Sequence, residues 1–289
     1  MKPCAFSYVK ASSLDNLLAI LSDNSDAKIL AGGQSLVPMM NMRLARPEML
    51  IDINDVTELR FITEEQDHIR VGALTRYNEI IESDLIKAKI PLLSDVTEYI
   101  GYIAIRNRGT IGGSLVHNDP SAEIGVALVC LGAEVVLVNS DAEERVVPLD
   151  QFFITTYLTD IAPDEILREI RIPIPAAHSG HAFKEVSRRV GDFAMANAAA
   201  LMQVGTGGEI TSLSFSFGGI GDVPMQIDLN ALVDNGPLVE EKLDQAVTKV
   251  LREIDPESDN VASGDYKKQL AGVLLKQVVS EAYDRATNS

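Results

Sequence analysis

The sequence predicts a two-domain α+β protein. Three observations point there: a β-α-β-like pattern opens the chain, a proline-rich stretch without periodicity runs over 173–180, and beyond it strands precede helices. At 289 residues there is room for two domains, or for one large domain with a satellite. The hydrophobic share of 46% and charged share of 23% suit a globular chain that buries a core.

Phe6 to Tyr8 reads as a short strand, and Ser12 or Ser13 as the cap of a helix with Leu14, Leu17, Leu18 and Leu21 at helical spacing. Lys28-Ile29-Leu30-Ala31 reads as a buried strand that delivers the chain to Gly32-Gly33. Leu36 to Arg43 is expected to make one or two helical turns, and 49–53 another buried strand. Two short strands are expected within 61–75, one of them around Ile69 to Val71. Helical periodicity covers 76–83 and 91–105, and apolar residues at helical spacing cover 120–131. A strand at 134–138, a hairpin through 139–144 returning along 145–148, and a strand from 164 to 172 complete the first domain. Beyond the break, 182–190, 196–205 and 209–217 read as three antiparallel strands, and about 238–254 and 264–286 as long helices. The expected domains are therefore 1–175, divided near 57, and 176–289.

Charge and cysteine usage exclude several functions. A net charge of −17 argues against a nucleic-acid partner or an anionic membrane surface, since both need clustered Lys and Arg. An acidic cofactor held by local loops stays possible. Cys4 and Cys130 are too few for a four-cysteine iron–sulfur cluster. A single disulfide is open to them, but two isolated cysteines read more simply as buried thiols in a reducing compartment. The N-terminal M-K-P-C-A-F-S-Y lacks the apolar run of a signal peptide, and no stretch approaches the roughly 18 residues of a membrane span. The expectation is a cytoplasmic protein with no membrane span.

Two glycine pairs carry the chemistry. Gly32-Gly33 follows a strand, with Gln34 and Ser35 supplying donors where a helix begins, a setting that favours phosphate. Gly112-Gly113 is flanked by Thr110 and Ser114. Either pair is also explained by a plain tight turn. Neither fits the G-x-G-x-x-G or G-x-x-x-x-G-K-[ST] pattern. Asp119, just before Pro120, reads as a helix N-cap or as an acceptor for ribose or ribityl hydroxyls. Glu123, a turn later, reads as a first-turn acid or as a ligand to the same hydroxyls. His117 is open to three roles, but with four histidines and none spaced to pair with it, a metal site is disfavoured and hydrogen bonding preferred. Lys184, Arg188 and Arg189 form a basic knot, either a solvated strand edge or a cation facing an electron-rich ring. No Ser-His-Asp set, cysteine nucleophile or paired catalytic carboxylates can be assembled, so no catalytic residue is assigned.

At these residues the chain resembles a known family. A-G-G-Q-S-L-V-P-M-M-N-M-R at 31–43, I-R-N-R-G-T-I-G-G-S-L-V-H-N-D-P-S-A-E at 105–123 and F-K-E-V-S-R-R-V-G-D-F-A-M at 183–195 look like three motifs of the FAD-binding medium subunits of molybdenum hydroxylases. That group includes aerobic carbon monoxide dehydrogenase, xanthine dehydrogenase and quinoline oxidoreductase. The resemblance implies an N-terminal PCMH-type FAD domain, related to vanillyl-alcohol oxidase, of two α/β subdomains. It further implies a C-terminal domain with a three-stranded antiparallel sheet and a helical bundle. By matched position, Ile29, Leu30, Ala31, Gly32, Gly33, Gln34, Ser35, Leu36 and Val37 would wrap the FAD diphosphate. Thr110, Ile111, Gly112, Gly113 and Ser114 would complete that cradle, and Gly101 would pass close to the cofactor. His117, Asp119 and Glu123 would hold the ribityl and ribose portion, Leu167 would pack on a ring plane, and Lys184 would lie near the flavin ring. A molybdenum cofactor on a large subunit and [2Fe–2S] clusters on a small subunit are implied as partners, in a dimer of heterotrimers. A free-standing flavin oxidase or reductase of the same fold is the alternative.

Overall fold

The structure is a computed structural model that describes residues 1–289 apart from 25, 234, 235 and 289. The chain opens with β1 (Ser7–Lys10), α1 (Leu14–Asp23), β2 (Lys28–Leu30), α2 (Leu36–Asn41) and β3 (Met49–Asp52). The three strands form a parallel sheet in the order β1-β3-β2. Ser13 caps α1, its hydroxyl accepting the Asn16 amide at 3.1 Å, because the first amides of a helix have no internal partner. Leu17, Leu18 and Leu21 of α1 pack with Ile51 and Ile53 in a core of their own. Each buried leucine contributes about 2 kcal/mol.

A second unit is built on an antiparallel sheet. β4 (Ile62–Glu64) and β5 (His68–Gly72) lead into a run of helices: α3 (Tyr77–Glu82), α4 (Asp84–Lys89), α5 (Pro91–Tyr99), α6 (Ile103–Arg106), α7 (Ile111–His117) and α8 (Glu123–Cys130). After them come β6 (Glu134–Asn139), β7 (Glu144–Pro148), α9 (Leu149–Phe152), the small hairpin β8 (Phe153–Thr155) and β9 (Leu158–Thr159), and β10 (Glu165–Pro173). The sheet order is β4-β5-β10-β6-β7. Three sequence expectations change here, and two elements are new. The helix expected over 91–105 breaks after Tyr99, where Gly101 takes φ +51°. The turn expected at 110–114 is the first turn of α7, capped by the Thr110 hydroxyl, which accepts the Gly113 amide at 3.1 Å. The helix expected from 120 starts at Glu123, because Asp119 closes a separate turn by accepting the Ser121 amide at 2.9 Å. Neither α4 nor the β8–β9 hairpin was anticipated, since both are too short to show a period.

The connection over 174–178 contains the expected boundary at 175 and leads to β11 (Ser179–Ser187), β12 (Ala194–Val204), β13 (Ile210–Gly218) and β14 (Met225–Gln226). The sheet therefore has four strands instead of three, the fourth being a two-residue edge. α10 (Glu240–Glu253) and α11 (Gly264–Thr287) follow. One face of this sheet packs on α11 through small residues: Ala182, Ala198 and Ala200 share a core with Ala271, Leu274 and Val278. The opposite face meets the second unit. There Phe183 sits edge-on to Tyr99 at 5.1 Å, and the buried Ser216 hydroxyl donates to the Val126 carbonyl at 2.7 Å. Among the described residues no helix is long and apolar enough to cross a membrane.

Candidate functional site

The two glycine segments meet backbone to backbone. A Cβ on Gly32 would lie 2.3 Å from the Arg108 carbonyl oxygen, so only glycine permits the approach. Gly33 follows at φ +71° and turns the loop so that α2 can start. A Cβ on Gly112 would strike Ala73 at 2.6 Å, which seats α7 against the end of β5. Residues far apart in sequence thus form one wall.

Two clefts share that wall. One, of about 310 Å³, is lined by Ile29, Ala31, Gly32, Gly33, Gln34, Ser35 and Leu36 from the first segment, by Thr110, Gly112, Gly113, Ser114 and His117 from the second, and by Leu167 from β10. The other, of about 370 Å³, is lined by Leu30, Val37, Asp52, Asn54 and Arg108 together with Ala31, Gly32, Gly33 and Gln34. Each is at the small end of ligand sites, and a ligand spanning both would cross the loop. Asp52, Asn54 and Arg108 were missed in the sequence. For Asp52 and Asn54 the signal was position, at the carboxyl end of parallel strand β3, where open parallel sheets place ligands; Arg108 comes from the loop before α7 and carried none. Asp52 accepts from the Tyr8 hydroxyl at 2.5 Å and from the Asn54 amide at 2.9 Å. Arg76 bridges the Arg108 carbonyl and the Asn54 side chain.

Backbone accounting separates the two segments. Ile111 donates to the Thr75 carbonyl, Gly112 to Ala73, Gly113 to the Thr110 hydroxyl and Ser114 to the Thr110 carbonyl. All four amides are engaged. The amides of Gly33, Gln34 and Ser35 donate to no described protein atom. Free donors in a glycine turn that lines the clefts fit an anion such as a diphosphate.

Beside the first cleft, the His117 ring lies 4.9 Å from that of Tyr157, a cleft residue in the unanticipated hairpin and held at φ +61°. The Tyr157 hydroxyl donates to Asp119 Oδ2 at 3.2 Å, and Asn118 anchors the hairpin by donating to the Thr155 and Leu158 carbonyls. Burial pushes the His117 imidazole below its ordinary value, against the pull of Asp119. A neutral imidazole suits the hydrogen-bonding role preferred from sequence.

The remaining expected residues lie outside both clefts. Gly101 borders the 188–193 loop, with a Cβ on Gly191 falling 3.2 Å from its carbonyl carbon. Ile111 is fully buried beneath the wall, as is nearly all of Glu123. Asp119 reaches the cleft only through Tyr157. Lys184 differs most: alternation along β11 turns it toward α11, where it pairs with Glu281 at 2.8 Å, while Glu185 faces the second unit. Among the described residues no cluster of His, Cys, Asp and Glu is placed to hold a metal.

Comparison with known proteins adds the family. Residues 4–175 match the model of the FAD binding domain in molybdopterin dehydrogenase, and residues 181–282 that of the CO dehydrogenase flavoprotein C-terminal domain. The glyceraldehyde dehydrogenase medium chain of Sulfolobus acidocaldarius is 34% identical over 284 residues, covering 97% of this chain and 99% of that one. The solved carbon monoxide dehydrogenase of Hydrogenophaga pseudoflava superposes with a TM-score of 0.95 at 35% identity, covering 99% of both chains. Quinoline 2-oxidoreductase of Pseudomonas putida 86 gives 0.94 at 33% identity, covering 99% of this chain and all of that one. With matches spanning nearly its whole length, this chain belongs to the family of FAD-binding medium subunits of molybdenum hydroxylases.

Proposed function

We propose that this chain carries FAD and passes electrons from the [2Fe–2S] clusters of a small partner subunit to an external acceptor. Those electrons would come from a substrate oxidised at the molybdenum cofactor of a large subunit. The observation that carries the reading is the set of free amides at Gly33, Gln34 and Ser35, on a loop shared by two clefts. In this assignment those amides hold the diphosphate. Thr110 and Ser114 shape the opposite wall, while Ile111, Gly112 and Gly113 hold that wall in place. Ile29, Leu36 and Leu167 supply apolar surface in the first cleft, and Leu30 and Val37 supply it in the second. His117 and the Tyr157–Asp119 pair close the first cleft, and Glu123 lies beneath it. Gly101 marks a contact of the N-terminal region with the 188–193 loop, outside both clefts.

The flavin supplies the step between single-electron and two-electron chemistry; the chain's own part is to bind, orient and exclude water. We assign His117, the imidazole in the first cleft, to hydrogen bonding and not to general-base catalysis, which favours electron transfer over a free-standing oxidase. We read the N-terminal region as two α/β subdomains of the PCMH type, the assembly as a dimer of heterotrimers, and its compartment as the cytoplasm. Titration of the purified chain with FAD tests the proposal. A stoichiometric yellow complex is expected; a chain that stays colourless with FAD in excess overturns it.

A further inference from the structure

Exposed apolar side chains gather where the 188–193 loop meets α6. Val190 is 87% exposed, Ile103 64%, Phe193 60% and Tyr102 55%. The two segments touch: a Cβ on Gly191, which sits at φ +85°, would lie 3.1 Å from the Tyr102 ring. Glycine at 191 lets the loop lie against Tyr102, and Val190 and Phe193 flank that contact along the chain. Both segments are held by hydrogen bonds. The Ser187 hydroxyl and the Asp192 amide donate to the Arg189 carbonyl at 3.0 Å, and the Arg188 guanidinium donates to the Val261 carbonyl at 3.3 Å. The Arg106 guanidinium donates to the Ile100 and Gly101 carbonyls at 3.1 and 2.8 Å, which fixes the approach to α6. Large apolar side chains are thus held in place facing water, an arrangement that suits a surface covered by a partner.

Charge says what kind of partner. The chain carries 42 acidic against 25 basic residues, yet 98–108 and 187–193 hold four arginines, at 106, 108, 188 and 189, against two acids, Glu98 and Asp192. Arg108, Arg188 and Arg189 are exposed in the same two segments as the apolar side chains. Aromatic side chains with an arginine rim are the make-up of a protein–protein interface, and the sign of the rim calls for an acidic face opposite. A second copy of this chain paired through the same patch about a two-fold axis would set arginine against arginine. The patch also leads to the cofactor site: α6 is followed by Arg108, which lines the second cleft and whose carbonyl meets Gly32.

We propose that this patch docks the small iron–sulfur subunit, through a partner face that is apolar at its centre and acidic at its rim. This rests on the flavin reading above, in which that subunit delivers electrons to the cofactor. Electron transfer weakens steeply with distance, so the donor has to sit beside the cofactor cleft. A subunit seated on α6 does so, because Arg108 at the rim of the second cleft comes two residues after the helix ends. Tyr102, Ile103, Val190 and Phe193 lose water on docking and hold the partner. Arg188 and Arg189 steer its approach and set its orientation.

Calorimetric titration of the full-length chain with its purified small [2Fe–2S] subunit tests the surface. Val190→Glu and Ile103→Glu should each weaken binding by about tenfold or more, since a carboxylate replaces an apolar contact and meets an acidic face. Arg189→Glu should weaken it about tenfold at low salt and less at high salt, where charges are screened. Val273→Glu, exposed on α11, is the control and should bind as the wild type does. Circular dichroism checks that each variant folds. A wild-type chain that does not bind the small subunit, unchanged affinity in Val190→Glu and Ile103→Glu, or an equal loss in Val273→Glu overturns the proposal. So does sedimentation in which the wild-type chain self-associates and Val190→Glu is monomeric, because a second copy then covers the patch. Loss of large-subunit binding in the patch variants, with small-subunit binding intact, overturns it too. FAD titration keeps the two readings apart. A chain that docks the small subunit through the patch but binds no FAD overturns the flavin reading and leaves the docking surface standing. A chain that binds FAD while Val190→Glu and Ile103→Glu leave docking unchanged overturns the surface alone.

Discussion

The segments 31–35 and 110–114 look alike as sequences and behave differently as structures. Both hold a glycine pair flanked by hydroxyl or amide side chains. The first leaves three amides unpaired at a shared cleft wall; the second commits every amide from Ile111 to Ser114 to its own cap and to the carbonyls of Ala73 and Thr75. A glycine pair therefore reports close approach of backbone, and only hydrogen-bond accounting says whether a ligand or the protein takes the donors. In this chain one pair is suited to bind and the other to build.

Gly32→Ala attacks what the segments have in common and should have the largest effect. A methyl 2.3 Å from a backbone carbonyl cannot be accommodated by a rotamer change. A stability loss of about 1–3 kcal/mol is expected in thermal unfolding, with FAD binding lost as the two walls separate. A tight-binding Gly32→Ala chain of normal stability would break the picture of a joined wall.

Gly113→Val tests the building role. Its Cβ would fall 2.6 Å from the Thr110 hydroxyl oxygen, the group that caps α7. Stability should drop by about 1–2 kcal/mol even without FAD, with Thr110→Ala costing about 1 kcal/mol by loss of the cap alone. Chemical denaturation of the flavin-free chains measures both. If Gly113→Val matches wild type in that assay, the residue belongs to binding instead.

Ser35→Pro sharpens the other side. It deletes an amide that no described protein group uses, so the flavin-free melting temperature should barely move. FAD affinity should weaken on the order of tenfold, the worth of one hydrogen bond to a charged group. A matching loss of stability would erase the contrast between the segments.

The smallest effect concerns His117. Its folded pKa lies below the unfolded value, so the native state binds the proton less readily than the unfolded chain does. Stability is therefore intact above the ordinary histidine value of about 6.5 and declines as pH falls through that region. His117→Gln should flatten the acid side of the stability profile. An unchanged acid limb would place the imidazole in contact with solvent.

Much of the fold was readable before any coordinates. The leucines of α1 and the last two helices follow from periods long enough to count, and the strands at 28–30 and 49–52 from short apolar runs. What escaped was short or set by a single residue: the kink at Gly101, the hairpin carrying Tyr157, and the two-residue strand at 225–226. The first glycine loop was legible because its donors lie within one local turn. Asp52, Asn54 and Arg108 were not, because their proximity to that loop is a property of the parallel sheet and of the Gly32–Arg108 contact.

By itself the sequence determined the class, the elements with strong periodicity and, through three motifs, the family. Those are consequences of local side-chain pattern, which a linear chain displays openly. The tertiary structure decided which amides stay free, and that Lys184 turns to Glu281 while Glu185 turns to the opposite face. Each of these depends on which groups lose water together, and burial is shared between residues that the chain brings close only when it folds.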